Sequence, residues 1–260
     1  MKYVLITGAS SGIGKELAKQ FAKKDHNLIL VARREELLKE LEEELEKDYL
    51  VNVICYACDI AKDPKAVYDF CKANDLNVSV LVNNAGYGDY GQFIDGDIDK
   101  LSGMIDLNDK ALVALTYYFL KDMKEKGHGH IINTGSVASF IPGPYMAVYY
   151  ATKAFVLSFS LALREELKDT GIHVSVLCPA PTKSPFWEVA GGETTAVYNN
   201  IFARTAKNAA RTGYGLYDSK KAYAIDGPAY KLLIAVARHL PLELCARTIG
   251  YLQSKTKKAR

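Results

Sequence analysis

The feature that most constrains this chain lies at its start. The apolar run Tyr3-Val-Leu-Ile6 leads into Thr7-Gly-Ala-Ser-Ser-Gly-Ile-Gly14, and Lys15 to Lys24 follows with Leu17, Ala18 and Phe21 on one helical face. A short strand buried on both sides, a three-glycine turn and a helix form the opening of a nucleotide-binding unit. Gly8, Gly12 and Gly14 let backbone come close to a ligand, and the N–H groups that start the helix point outward, a geometry that binds a pyrophosphate.

The same alternation runs on. Strands are expected at Asn27–Val31, Asn52–Cys58, Val78–Val82, Gly129–Asn133, His173–Cys178 and Ala222–Asp226, with helices at Glu35–Lys47, Lys100–Lys124 and Tyr149–Lys168. This pattern predicts an α/β fold, a Rossmann-type doubly wound domain whose seven-stranded parallel sheet, in order 3-2-1-4-5-6-7, is flanked by helices. Without a repeat or a Pro/Gly/Ser linker, residues 1–260 read as one domain. The least regular stretch, about 185–212, is expected to be a flap over the site, and about 229–256 a helical extension.

Composition removes the competing classes. Hydrophobic residues make up 49% and charged residues 24%, which excludes disorder, and a net charge of +3 is too small for a nucleic-acid binder. Five scattered cysteines read as reduced thiols of a cytoplasmic protein. Cys55 and Cys58 match C-x-x-C but lie on an expected strand, where positions three apart face opposite ways. His128, His130, His173 and His239 show no ligand spacing, so no catalytic metal is expected. No apolar run is long enough for a leader or a membrane span.

Thr-Gly-x-x-x-Gly-x-Gly is not the G-x-G-x-x-G spacing, and it resembles the fingerprint of the short-chain dehydrogenase/reductase family. The resemblance continues in order: Asp59 at the end of the third strand, Asn83-Asn-Ala-Gly86 after the fourth, Asn108 in the next helix, Ser136 after the fifth strand, and Tyr149-Tyr-Ala-Thr-Lys153 as Y-x-x-x-K. It implies a catalytic set of Asn108, Ser136, Tyr149 and Lys153. It also implies that Gly8, Ser10, Ser11, Gly12, Ile13, Gly14, Asp59, Ile60, Asn84, Ala85, Gly86, Pro179, Thr182 and Ser184 contact the cofactor together with Tyr149 and Lys153. In the segment Cys178-Pro-Ala-Pro-Thr-Lys-Ser184, Ala180 replaces the family's usual glycine and Ser184 stands where threonine often contacts the carboxamide.

Charge after the second strand selects the cofactor, because a carboxylate there repels a 2′-phosphate whereas an arginine grips it. The sequence has Ala32-Arg33-Arg34, which predicts NADP(H), with Arg33 at the position that matches the family's phosphate-binding arginine. Arg34 either assists or pairs with Glu35. Relatives that prefer NADP often carry a second basic residue in the glycine turn; Ser10 or Ser11 replaces it only in part, so the expected selectivity is incomplete.

Ketone reduction needs a proton donor at the carbonyl oxygen, and alcohol oxidation needs the same group as base. Tyr149 and Lys153 share a helical face, so the ammonium is expected to lower the phenol's pKa, while Tyr150 points elsewhere. Ser136 would hold the substrate oxygen, with Ser139 as a competitor. By resemblance, Lys153 also binds the nicotinamide ribose and Asn108 holds a relay water. Phe186, Trp187, Val189 and Tyr198, with the apolar 137–148 stretch, suit a bulky hydrophobic substrate, including a hydroxysteroid or bile acid. The expected function is therefore NADP(H)-dependent interconversion of a ketone and a secondary alcohol. The alternatives are a 3-oxoacyl carrier reductase and, remotely, a non-catalytic NADP(H) sensor. The family implies a homodimer or homotetramer.

The small net charge conceals an asymmetry. Residues 219–260 carry nine Lys+Arg against two Asp+Glu, and this basic segment is amphipathic, with Leu244, Cys245, Thr248, Ile249 and Leu252 along one expected face. It is expected either to pack on the body or a sister subunit, or to touch a membrane surface.

Overall fold

The structure, a computed structural model, describes residues 1–191 and 203–254. Strands β1 (Lys2–Thr7), β2 (Asn27–Ala32), β3 (Val53–Ala57), β4 (Asn77–Asn83), β5 (Gly129–Thr134) and β6 (Ile172–Cys178) form a sheet, with α1 (Gly12–Ala22), α2 (Glu35–Asp48) and α3 (Pro64–Ala73) between the first four. Helices α4 (Ile98–Ile105) and α5 (Leu112–Lys126) precede β5, and α6 (Ala147–Glu166) precedes β6. Beyond it come β7 (Thr182–Lys183), α7 (Phe186–Ala190), β8 (Arg204–Thr205), α8 (Ala206–Ser219), β9 (Tyr223–Ile225), α9 (Pro228–Ala237) and α10 (Leu242–Ser254).

Seven strands pair in parallel in the order β3-β2-β1-β4-β5-β6-β9. This is the expected order, with β9 as the seventh strand because β7 and β8 pair separately. Successive side chains of one strand enter opposite layers. Val4 and Ile6 of β1 pack in one core with Leu17 and Phe21 of α1, while Tyr3 and Leu5 join Leu115 and Phe119 of α5 in the other. Each such fully buried aliphatic side chain stabilises the fold by about 1.5–3 kcal/mol. The C-x-x-C pair divides in the same way: Cys55 packs with the first core and Cys58 with the second. All five cysteines are free, and the described residues contain no metal-ligating cluster of His, Cys, Asp or Glu.

Three local expectations need correction. The region between the third and fourth strands contains α3, whose start is marked by Asp63, accepting a hydrogen bond from Ala66 N at 3.0 Å, and by Pro64 in the first turn. The helix expected over Lys100–Lys124 is interrupted by a π turn, Asp106–Ala111. Of the stretch 185–212 expected as a flap, the described residues form α7 at its start and α8 from Ala206, and 192–202 lie outside the described residues. Helix α8 packs on α1, with Tyr214 edge-on to Phe21 at 5.1 Å. Tyr198 lies outside the described residues.

Candidate active site

At the carboxyl ends of β1 and β4, where the strand order reverses, a cleft of ≈470 Å³ opens. Its floor is the glycine turn. Gly8 has φ +66°, and a Cβ there would come 2.8 Å from Ala85 Cα; a Cβ on Gly14 would collide with the Gly8 carbonyl oxygen. The turn is tied to β4 through Thr7, whose hydroxyl accepts from Asn84 N at 3.0 Å and Ala85 N at 3.1 Å, while Asn84 Nδ2 donates to Thr7 O at 3.0 Å. Helix α1 starts with no side-chain cap from Ser11 and no acidic residue in its first turn, so its positive end faces the cleft uncompensated. A cradle with no room for side chains and an uncapped helix start fit a dinucleotide pyrophosphate.

The end of β2 supplies the cations. Arg33 and Arg34 are exposed and line the cleft. Arg34 does not pair with Glu35: its Nη2 donates to both Ser10 Oγ and Ser11 Oγ, each at 3.0 Å. The positive charge absent from the glycine turn is thus brought to it from the next strand. Asp59 and Ile60 line the same end, with Asp59 Oδ1 accepting from Ala61 N at 3.3 Å. Ser10, Ile13, Gly86, Pro179, Thr182 and Ser184 also line the cleft. Ser184 sits beside the turn, its Cβ 3.6 Å from where a Gly12 Cβ would be. Thr182 is buried, with its hydroxyl bound to Ala180 O at 2.7 Å.

Ser136, Tyr149 and Lys153 meet at the other end. Ser136 Oγ accepts from Ala138 N at 3.1 Å, and its side chain hydrogen-bonds the Tyr149 phenol. Ser139, the competitor, accepts from Ser136 N at 3.1 Å and serves as part of a capping box. Lys153 Nζ lies 5.8 Å from the Tyr149 ring centre and donates to Thr134 O at 2.8 Å. The expected lowering of the phenol pKa is not what the isolated chain shows. Burial raises the Tyr149 pKa above its ordinary value, against the hydrogen bond from Ser136, and burial pulls Lys153 down to about 8. Removal from water is the largest cause for both groups, and the phenol is protonated and able to donate.

Asn108 is buried within the π turn and brought into the site by it. Its Oδ1 accepts from Tyr87 N at 3.1 Å, and its Nδ2 donates to Tyr87 O at 3.0 Å and Thr152 Oγ1 at 3.1 Å. The amide is thereby used in joining the 84–88 loop to α6.

Several residues in or near the cleft carry no signal in the sequence. Asp109 follows Asn108; its Oδ1 is buried without a partner among the described residues, burial pushes its pKa up to about 7, and it raises that of Lys153. Gln253 of α10 lines the cleft, donating from Nε2 to Tyr150 OH at 3.2 Å, while its main-chain carbonyl oxygen accepts from Tyr90 OH at 2.8 Å. Tyr150 is therefore a packed wall residue. Phe186 lies 5.2 Å from Tyr149, Trp187 is buried with Nε1 donating to Thr182 O at 3.1 Å, and Val189 is exposed at the rim.

Comparison with known proteins gives the family of the chain. The sequence model of the short chain dehydrogenase family matches residues 2–193. A very-long-chain 3-oxoacyl-CoA reductase of Laccaria bicolor is 35% identical over 67% of this chain and 53% of its own length, so the chain spans about half of that relative. Sulfoacetaldehyde reductase 2 of Chromohalobacter salexigens is 39% identical over 78% of this chain and 81% of its own. Among solved structures, a short-chain dehydrogenase from Sphingobium yanoikuyae in complex with NADPH has TM-score 0.82 and 32% identity, covering 92% of this chain and 94% of the other. A bulky-bulky ketone specific alcohol dehydrogenase from Comamonas testosteroni has TM-score 0.77 and 30% identity, covering 92% of each.

Proposed function

This chain belongs to the short chain dehydrogenase family, and we propose that it is an NADP(H)-dependent oxidoreductase interconverting a ketone and a secondary alcohol on a bulky hydrophobic substrate. The observation that carries this reading is one continuous cleft with the Arg34–Ser10–Ser11 cluster at one end and Ser136, Tyr149 and Lys153 at the other. The NADPH complex of the Sphingobium yanoikuyae relative supports the cofactor assignment.

The residues that would hold the dinucleotide are the glycine turn at its pyrophosphate, Arg33 and Arg34 at the 2′-phosphate, Asp59 and Ile60 at the adenine, and Lys153 at the nicotinamide ribose. When bound, this group supplies or accepts the hydride. Ser136 holds the substrate oxygen by hydrogen bond and stabilises the charge that develops on it. Tyr149 donates its phenolic proton to that oxygen in reduction and takes it back in oxidation. A protonated phenol is the form that donates in reduction, and oxidation needs its proton removed first. Phe186 and Trp187 cover the site and exclude water.

A second reading, reduction of a 3-oxoacyl thioester, is favoured by the Laccaria bicolor relative. Such a substrate is also a bulky ketone and would use the same cleft. The sulfoacetaldehyde reductase, at similar identity, acts by its name on a different substrate, so likeness at this level does not select between them. The test is NADPH oxidation followed by absorbance across steroid ketones, long-chain ketones and 3-oxoacyl thioesters, with NADH in parallel. Turnover of hydrophobic ketones with a preference for NADPH is the expected result; NADPH binding with no turnover of any of them would leave only a sensor. Self-association is expected through α5 and α6, which expose Tyr117 and Phe155.

A pH dependence follows from Asp109. Its carboxylate raises the Lys153 pKa, so Asp109→Asn lowers that pKa further below about 8. The Lys153 ammonium is then lost at lower pH, and the alkaline limb of the pH–rate profile for reduction moves to lower pH. Rates at about pH 6, where Asp109 is mostly protonated and Lys153 charged in either protein, stay within about two-fold of each other. A profile identical to that of the parent protein would show that Asp109 does not act on Lys153.

A further inference from the structure

The two helices that end the described chain divide their residues by chemistry. Tyr230, Ile234 and Ala237 of α9 and Cys245 and Gln253 of α10 are buried against the body. On the outside, Leu232, Leu233 and Val236 of α9 and Leu242, Leu244 and Leu252 of α10 are each about half or more exposed. The inward row of α10 differs from the expected one, for Cys245 is buried whereas Leu244 and Leu252 face solvent. Exposed aliphatic residues in this number on adjoining helices require an apolar partner.

Charge identifies it. Lys231, Arg238 and Arg247 are exposed on or beside the same helices. Of the two carboxylates in residues 219–260, Asp226 is buried and paired with Arg204 at 3.2 Å, which leaves Glu243 as the exposed one. A second copy of this chain docking through the same face would set cations against cations, since a two-fold contact brings a patch onto itself. Anionic headgroups above a hydrocarbon layer match both the leucines and the cations.

We propose that α9 and α10 form a docking face for an anionic lipid bilayer, with the leucines entering the acyl boundary and the basic residues at the headgroups. No described helix is long and apolar enough to cross a membrane. The inner side of α10 reaches the cleft through Gln253, which bonds Tyr150 and Tyr90, so the helix that meets lipid also walls the substrate site. Docking itself is independent of which substrate the cleft accepts.

The test is co-sedimentation of the full chain with phosphatidylcholine vesicles, with and without about one-quarter phosphatidylserine. The expected result is sedimentation with the phosphatidylserine vesicles, at least about five-fold weaker on phosphatidylcholine alone and falling as salt is raised. Leu233→Asp/Leu244→Asp and Lys231→Glu/Arg247→Glu, all at exposed positions, are each expected to lose most of this binding while keeping the parent circular dichroism spectrum and NADPH affinity. Deleting α10 is a poorer test because it would remove Gln253 from the cleft. No sedimentation with phosphatidylserine vesicles overturns the proposal, as does equal sedimentation of parent and variants. Light scattering that shows an oligomer dissociated by the leucine substitutions would also overturn it, assigning the face to a second copy. Turnover in vesicle-free buffer is read separately, so loss of docking and failure of the oxidoreductase reading are distinguishable.

Discussion

Tyr149→Phe is expected to lower turnover by about 10²–10⁴-fold with NADPH affinity unchanged, the range that one positioned proton donor contributes. The ring of Tyr149 is packed beside Phe186 at 5.2 Å, and phenylalanine keeps that packing. What disappears is the hydroxyl, which the Ser136 side chain hydrogen-bonds and which burial holds in its protonated form. Ser136→Ala, which removes one donor to the developing oxyanion and keeps the phenol, is expected to cost less, about 10²–10³-fold. The measurement is single-substrate turnover beside NADPH binding by fluorescence. Parent-level turnover by Tyr149→Phe would refute the assignment of the proton donor.

The second large effect falls on cofactor choice. Arg33→Ala/Arg34→Ala is expected to lower kcat/KM for NADPH by about 10²-fold or more, since each charge-assisted hydrogen bond contributes about 1.5–3 kcal/mol. NADH, which has no 2′-phosphate, should change by less than about three-fold, so the preference inverts or vanishes. The single variants separate two readings of this dipeptide. Family resemblance places the phosphate on Arg33, whereas in the structure it is Arg34 that sits on Ser10 and Ser11 at 3.0 Å. A larger loss for Arg34→Ala supports the structural arrangement, and unchanged cofactor preference in the double variant would refute the role of both.

The helix expected over Lys100–Lys124 shows where sequence reading stops. Its periodicity is real on both sides, but the π turn at Asp106–Ala111 arises because Asn108 can pair with both backbone groups of Tyr87 and with Thr152 only after the chain has folded. Helix α3 is a different case. Its signal, Asp63 before Pro64, is a capping signal rather than an apolar period. Gln253 had no local signal at all, because its partner Tyr150 is 103 residues away.

What the sequence alone determined was the positions of the strands, the glycine cradle and the shared helical face of Tyr149 and Lys153. These rest on local rules: continuous apolar runs make doubly buried strands, a turn with a required positive φ takes glycine, and residues four apart share a helical face. The tertiary structure decided the direction of the pKa shifts of that pair, the use of Arg34 rather than a basic residue in the turn, the burial of Asp109 Oδ1 and the walling of the cleft by Gln253 of α10. Each of these depends on desolvation or on contacts between segments distant in the chain, and burial far from the local sequence sets the energy of a charge more strongly than its neighbours along the chain do.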